Sequence, residues 1–562
     1  MQASPSLLRA PRCFRLLALC AAPILLSGCF GGGGVADALT DGLFSSVQGI
    51  DAPSSVSCNA DPLQYCYTEF TAYPNRRYVD FNFNWQDQGA QKVIADFEKV
   101  KQADNSWRMT LTFKRDLPPG QYQGRIKLDI RSIPIGDPFT TINSSYIDYT
   151  LTVGAYGAQF KTGAEIGRDW GSTGGSAAHD GFFDVKLDPS QFSRRFSWRA
   201  PDDTSLENAV TGGGKLMLAT RSTLAQNPAP PMLLMLDEAR GAPQWQGVFQ
   251  SGTQIGQMAS DDKRVYLLAG EARKNAMHAF NLDGSGMAYV RENEISSLAP
   301  ALNPGAPVLQ NGLLCAGDGA ENEIQCRNSA DGSLRYKLEV REKLAARFWG
   351  FSPAMTADAV LANLGGRLFA WRSSDGALLW QIDVPGVRNG TYRDQYETAQ
   401  APLISGHVAV LRDKANFDDK AVDNQLSAVD LSARKLLWTS EAGQFAAPVA
   451  GNGLVYALNR KSGKIEARNL ADGKTVWSLA LPQTSNWAFY DEPGSDLILT
   501  QNLLFASSGT QTVAIDLSKR EIVWRYSAGG RLLLSRQGVL YILRRQNSKP
   551  AAWDGVIGIN LR

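Results

Sequence analysis

From about residue 230 onward, short apolar runs alternate with polar turns in a repeating figure. Each run ends on a polar anchor, a turn follows, and an aromatic residue stands eight positions past the anchor. The stretch Asn469-Leu-Ala-Asp-Gly-Lys-Thr-Val-Trp477 shows the figure most plainly. It recurs at Asp237/Trp245, Asn281/Tyr289, Asn328/Tyr336, Arg372/Trp380, Asp430/Trp438 and Asp516/Trp524, with anchors 44, 47, 44, 58, 39 and 47 residues apart. Self-similarity at such a period marks a propeller, a solenoid or an array. The flanking runs are short and rich in Val, Leu, Ile and Trp, and several turns carry Asp-Gly, which predicts strands and hairpins. Four short strands in roughly 45 residues is the content of one propeller blade.

Asn560 is an eighth anchor, 44 residues after Asp516, but it lacks an aromatic partner downstream. Phe196-Ser-Trp198 looks like the missing outer strand. The spacing therefore predicts eight blades, with seven as the alternative, closed by strands from both ends of the repeat region so that no long edge is left bare. Trp198, Trp245, Tyr289, Tyr336, Trp380, Trp438, Trp477 and Trp524 are expected to pack between blades, because one large aromatic per repeat buries area without any chemistry. Upstream, Val79, Phe81, Phe83 and Trp85 alternate with polar residues, as do Trp107 to Phe113, Ile126 to Ile130 and Ile147 to Val153. Alternation with period two predicts strands buried on one face, and about 100 residues of them predict a β-sandwich over 51–155.

The N-terminus carries Arg9, Arg12 and Arg15, then an apolar run from Leu16 to Leu26, then Leu26-Ser27-Gly28-Cys29. A basic start, a short apolar run and small residues predict a signal peptide over 1–28, too short to span a bilayer. The last four residues resemble a bacterial lipobox. That resemblance implies lipidation of Cys29 and a membrane anchor, with 29–50 as a flexible tether. Phe30, rather than Asp, follows the cysteine and favours the outer membrane, facing the periplasm. Cys58, Cys66, Cys315 and Cys326 remain as two local pairs, and an oxidising compartment favours 58–66 and 315–326 disulfides. The whole layout reads as signal peptide 1–28, tether 29–50, sandwich 51–155, linker and entry 156–178, and propeller 179–562, in an all-β chain. The 57 basic and 55 acidic residues leave a net charge of +2. That balance offers no footprint for nucleic acid.

Asp-x-x-x-Gly-x-x-x-Trp endings, preceded by Gly453-Leu-Val-Tyr-Ala-Leu458 and Gly538-Val-Leu-Tyr-Ile-Leu543, resemble the pyrroloquinoline-quinone-like repeat. The opening Trp170-Gly-Ser-Thr-Gly-Gly-Ser-Ala-Ala-His179 resembles the start of such propellers, and Leu117-Pro-Pro-Gly120 with its following strand resembles bacterial Ig-like modules. Two branches share the repeat: quinone-dependent dehydrogenases and the non-catalytic BamB family of outer-membrane assembly lipoproteins. Fold cannot choose between them. The dehydrogenases set a quinone on a Trp floor with a calcium ion, and many alcohol enzymes add adjacent cysteines. No Cys-Cys pair occurs here, and only His179, His278 and His407 are present. Trp371 could be a floor but sits in a repeat strand, where core packing is the ordinary role. Asp413, Asp418, Asp419 and Asp423 offer oxygen ligands, yet Lys414 and Lys420 interrupt them and no calcium-loop spacing is kept. No catalytic residue, metal site or cofactor is therefore assigned, and the quinoprotein dehydrogenase stays as the alternative.

The BamB resemblance implies docking on a periplasmic domain of the barrel-inserting protein BamA through connections between blades, with the chain a monomer inside a larger complex. A Leu/Arg element before a Ser-Ala-Pro strand start matches Leu344 and Arg347, ahead of Phe351-Ser-Pro353. An acidic element one blade later matches Arg393, Asp394 and Glu397, ahead of Ala401-Pro402. The match departs from the family in a one-residue shift at Arg347, in the single acid near the family's acidic pair, and in the added Ig-like module.

Overall fold

Alternating and short apolar runs form strands almost throughout the chain. The computed structural model describes residues 44–562 apart from 48–49, 61–66, 75–77, 102–105, 115–116, 118–119, 135–140, 154–164, 202–203, 223–227, 272–273, 296–305, 319–322, 340–346, 365, 385–389, 393–395, 400, 414–422, 482–496, 509–510, 527 and 545–554. The signal peptide, Cys29 and Cys66 lie outside the described residues. Among those described, the one helical element is a 3₁₀ turn, Pro189–Gln191, capped by the Asp188 side chain.

Two sheets share the N-terminal core. One runs Phe44–Val47, Ile50–Pro53, Tyr67–Pro74, Trp107–Phe113, Ile94–Lys101. The other runs Ser55–Ala60, Thr141–Val153, Gly120–Pro134, Tyr78–Asp87. Every neighbouring pair is antiparallel except Ser55–Ala60 with Thr141–Val153, which is parallel. Met109, Leu111 and Phe113 from the first sheet meet Ile126, Leu128, Ile147 and Leu151 from the second. Alternation placed one apolar face of each sheet inward. The unit starts earlier than the expected residue 51. Phe44 pairs with Pro53 and Val47 with Ile50, so this hairpin takes the end of the expected tether into the sheet.

Among the described residues of the repeat region, eight sheets are each built on antiparallel strands and are here lettered A to H: 204–248, 254–295, 308–339, 354–383, 403–439, 449–480, 497–526 and 531–560. Sheet H takes its fourth strand from Ser193–Arg199, which pairs antiparallel with Gly555–Asn560. This is the pairing the sequence placed at Phe196 to Trp198. Sheet G gains Phe182–Phe183 in parallel along Leu497–Thr500. First strands of consecutive sheets adjoin from A to D and from E to H, and that of H adjoins A. Sheets D and E share a core that includes Leu361, Ala370, Ala409 and Leu411.

The anchors have a local reason. The Asp237, Asn328, Asp430, Asn469 and Asp516 side chains each accept the backbone N–H two residues on, bending the chain into a turn. Four residues past the anchor the backbone is left-handed: Gly241, Gly332, Gly376 and Gly473, but also Arg434 and Arg520. The repeated aromatic pairs with the residue two before its anchor, as in Cys326 with Tyr336 and Ala467 with Trp477. It lies against the next sheet's turn. Tyr289 lies against Gly332, Tyr336 against Gly376, and Trp438 against Gly473, with Trp438 Nε1 donating to Leu470 O at 2.8 Å. In sheet H the equivalent place, opposite Gly558, belongs to Phe196 and not to Trp198. Phe196 is buried and lies against Gly241 of sheet A, while Trp198 pairs two positions on, with Val556.

Candidate functional site

Residues 165–187 act as a strap across the first strands. In six sheets the residue four before the second strand gives its N–H to a strap carbonyl. Thr211 donates to Trp170 at 2.9 Å, Ser260 to Gly171 at 2.7 Å, Met355 to Ala177 at 2.7 Å, Ile404 to Ala178 at 2.8 Å, Ala450 to Asp180 at 2.9 Å and Leu499 to Gly181 at 2.9 Å. Ile166 N–H donates in turn to Arg536 O of sheet H at 2.7 Å. The strap thus satisfies equivalent amides that a ring of inner strands would otherwise leave unpaired. Its small residues permit the close approach: a Cβ on Gly175 would meet the Trp170 ring at 3.1 Å, and Gly175 has φ +90°. Trp170 is buried and stacks on Phe183 with ring centroids 6.0 Å apart. His179 is buried with both ring nitrogens facing carbonyls, Nδ1 that of Thr173 and Nε2 that of Pro353 at 2.9 Å. Burial pushes its pKa down, against the opposing pull of those carbonyls. Of the expected linker and propeller entry, residues 165–178 are therefore bound to the repeat sheets.

The strap lies where first strands turn into second strands. The connections that enter the first strands come from the other end of each sheet. Two consecutive connections, C to D and D to E, contribute strands of their own: Arg347–Phe351, Gly390–Tyr392 and Tyr396–Ala399. Arg347 pairs with Tyr396 and Phe348 with Glu397 in parallel, and Thr391 pairs with Glu397 in antiparallel. The structure thus brings the backbones at Arg347 and Glu397, which are 50 positions apart, into neighbouring register in one three-stranded sheet. Leu344, Arg393 and Asp394 lie outside the described residues. Sequence reading missed this pairing because Arg-Phe-Trp-Gly-Phe and Tyr-Glu-Thr-Ala lack the two-residue alternation that announces a strand. The outer strands each have one backbone edge unpaired within this sheet, and such edges accept extended peptides.

The other flagged residues are placed as follows. Trp371 is buried in the C–D core and stacks on Phe369 at 5.3 Å. Asp413 is buried, Asp423 pairs with Lys461 at 2.8 Å, and Asp418 and Asp419 lie outside the described residues. His278 stacks against Phe280 and meets Phe249 edge-on. Among the described residues no group of three or more His, Cys, Asp or Glu is placed to hold a metal ion. Cys315 and Cys326 are fully buried, directly opposed on adjacent strands of sheet C, and joined in a disulfide. Cys58 is buried and disulfide-bonded.

Residues 321–558 match the family model of the outer membrane protein assembly factor BamB. The chain carries a BamB-like repeat propeller. An outer membrane protein assembly factor BamB of Moranella endobia is 24% identical over 217 residues, 38% of this chain and 51% of that protein. The chain therefore spans about half the length of this curated relative. Among solved structures, BamB from Moraxella catarrhalis aligns with a TM-score of 0.45 and 16% identity, covering 65% of this chain and 99% of that one. A quinohemoprotein alcohol dehydrogenase from Pseudomonas putida HK5 aligns with a TM-score of 0.48 and 12% identity, covering 71% and 80%.

Proposed function

We propose that the chain is a lipoprotein, anchored to the outer membrane through Cys29, whose eight-bladed propeller is a non-catalytic docking scaffold in outer-membrane protein assembly. On this reading sheets A to H are the eight blades, the N-terminal sandwich is an Ig-like spacer, and the partner is a periplasmic domain of a BamA-like protein. The observation that carries the docking reading is the sheet built by two consecutive connections. Two segments flagged for opposite charge converge there by backbone pairing, on the end away from the strap. A scaffold needs such a fixed, shaped surface more than it needs reactive groups. The family match supports an assembly role, and the packing of Trp371 on Phe369 within the C–D core fits the ordinary core role expected of it.

The test is capture of the soluble periplasmic region of BamA by the mature protein, measured by calorimetry. Thr398→Pro removes an N–H from the central strand of the connection sheet, leaving sheets A to H untouched. It should weaken capture at least tenfold with the circular dichroism spectrum unchanged. The charge reversal Arg347→Glu with Glu397→Lys should weaken it less, about three- to tenfold, as rim charges do. Unaltered capture in both variants would remove this surface from the reading. Quinone-dependent oxidation of an alcohol or aldose, with calcium and an artificial acceptor supplied, would replace the scaffold by the dehydrogenase alternative.

A further inference from the structure

The two ends of the 165–562 region meet at one seam, where Ser193–Arg199 lies along Gly555–Asn560 beside sheet A. Behind that seam is a buried ionisable cluster that docking does not use. Glu238 follows the third strand of sheet A and is 2% exposed. Its Oε1 accepts the Tyr541 hydroxyl of sheet H at 3.0 Å, and its Oε2 has no hydrogen-bond partner among the described residues. Two nitrogens of the Arg195 guanidinium bond acceptors other than this carboxylate. Nε donates to the backbone carbonyl of Glu238 at 2.5 Å, and Nη1 to Asn560 Oδ1 at 2.8 Å.

The remaining charges around the carboxyl do not neutralise it. From the strap, Asp169 adds a negative charge nearby. Arg536 of sheet H donates to Asp169 Oδ2 at 2.7 Å, pairs with Asp262 from the hairpin of sheet B, and stands 3.9 Å from Glu165. Asp237, on the same turn as Glu238, faces Arg195. Burial first, and Asp169 second, push the Glu238 carboxyl up to about 7, while Ser535, Tyr541 and Arg195 pull the other way. A neutral acid suits this place, because burial and Asp169 outweigh the pull of Arg195 on the carboxylate.

We propose that Glu238 is a proton-operated latch on the ring seam. When protonated, it lets the strap, Ser193–Arg199, sheet A and sheet H close together, and when ionised it loosens them. The sign follows from the raised value. The stability this group contributes is fully present below about 4.5, its ordinary value, and is lost as pH rises through about 7. The opening equilibrium of the seam should therefore rise roughly 70-fold between pH 5 and pH 8. Hydrogen exchange in the full chain tests this, read at the Val539–Arg544 and Gly555–Asn560 amides and normalised to intrinsic rates. Wild type should show the rise, sheet F amides should not, and Glu238→Gln should be flat at the acid level. A pH dependence that persists in Glu238→Gln, or that is absent from wild type, overturns the latch. Should Glu238→Gln fail to fold, Tyr541→Phe decides. It removes a donor that favours the carboxylate, so the pH window must move upward. A window that stays put or moves down overturns the proposal equally.

Discussion

Gly463 and Gly473, in the two turns that flank Lys464–Asn469 of sheet F, separate backbone cost from packing cost. Both are left-handed, with φ +65° and +71°. A Cβ on Gly463 would meet open space, whereas one on Gly473 would lie 2.6 Å from the Trp438 ring. That ring is held by its hydrogen bond to Leu470 O and cannot swing aside. Gly463→Ala should cost about 1 kcal/mol, the strain of the left-handed region. Gly473→Ala should cost about 2–4 kcal/mol, because overpacking adds to the strain. Urea unfolding of the two variants measures the difference, and equal costs would mean that the aromatic does not bear on the turn. Arg434 and Arg520 show that the backbone shape, rather than glycine itself, is what this place requires. The anchor, the turn and the aromatic were legible at this scale because they recur. Sheet H was less legible for the same reason: a pattern without its anchor nearby left two aromatics, Phe196 and Trp198, and both pack on the core that joins sheets A, G and H. Only the pairing of Phe196 with Gly558 tells them apart.

At the scale of elements, sheet C is the one repeat sheet with a covalent cross-link among the described residues. The Cys315–Cys326 bridge closes a loop with a sequence separation of 11, which constrains the unfolded chain by about 3 kcal/mol. The double variant Cys315→Ala, Cys326→Ala should lose about that much, and somewhat more because both sulfurs are fully buried. Guanidinium unfolding of oxidised and variant protein checks it, and a loss below about 1 kcal/mol would show that the unfolded chain is already constrained there. The bridge was readable from local cysteine spacing. Two other elements were not. The strap occurs once, is rich in glycine and serine, and gains its role from carbonyls that point at six separate sheets. The connection sheet pairs segments whose own sequences alternate poorly, so register comes from the elements flanking them and not from side-chain pattern.

For the whole molecule, the division of the hydrophobic core makes a thermodynamic claim. The buried cluster containing Met109, Leu111, Ile126 and Leu151 is drawn entirely from residues 58–153. The cluster containing Trp170, Phe183, Phe196 and Tyr541 joins the strap, Ser193–Arg199 and sheets A, G and H. Units with separate cores unfold as separate transitions, so a single free energy does not describe the chain. Leu111→Ala should lower the sandwich transition alone, by the roughly 2–5 kcal/mol expected when a fully buried leucine is cut back to its Cβ and a cavity is left. Trp170→Ala should lower the repeat-region transition alone, by about 3–5 kcal/mol, because it removes a buried ring and also loosens the strap that six sheets bond to. Differential scanning calorimetry of the protein and the two variants resolves this. If Leu111→Ala and Trp170→Ala move the same single peak, the sandwich and the ring unfold as one cooperative body, and the two-unit description fails. If Trp170→Ala splits the repeat-region peak instead of shifting it, the strap is the element that makes eight sheets melt together. That follows from its geometry, since it touches the same position in sheets that are far apart in sequence.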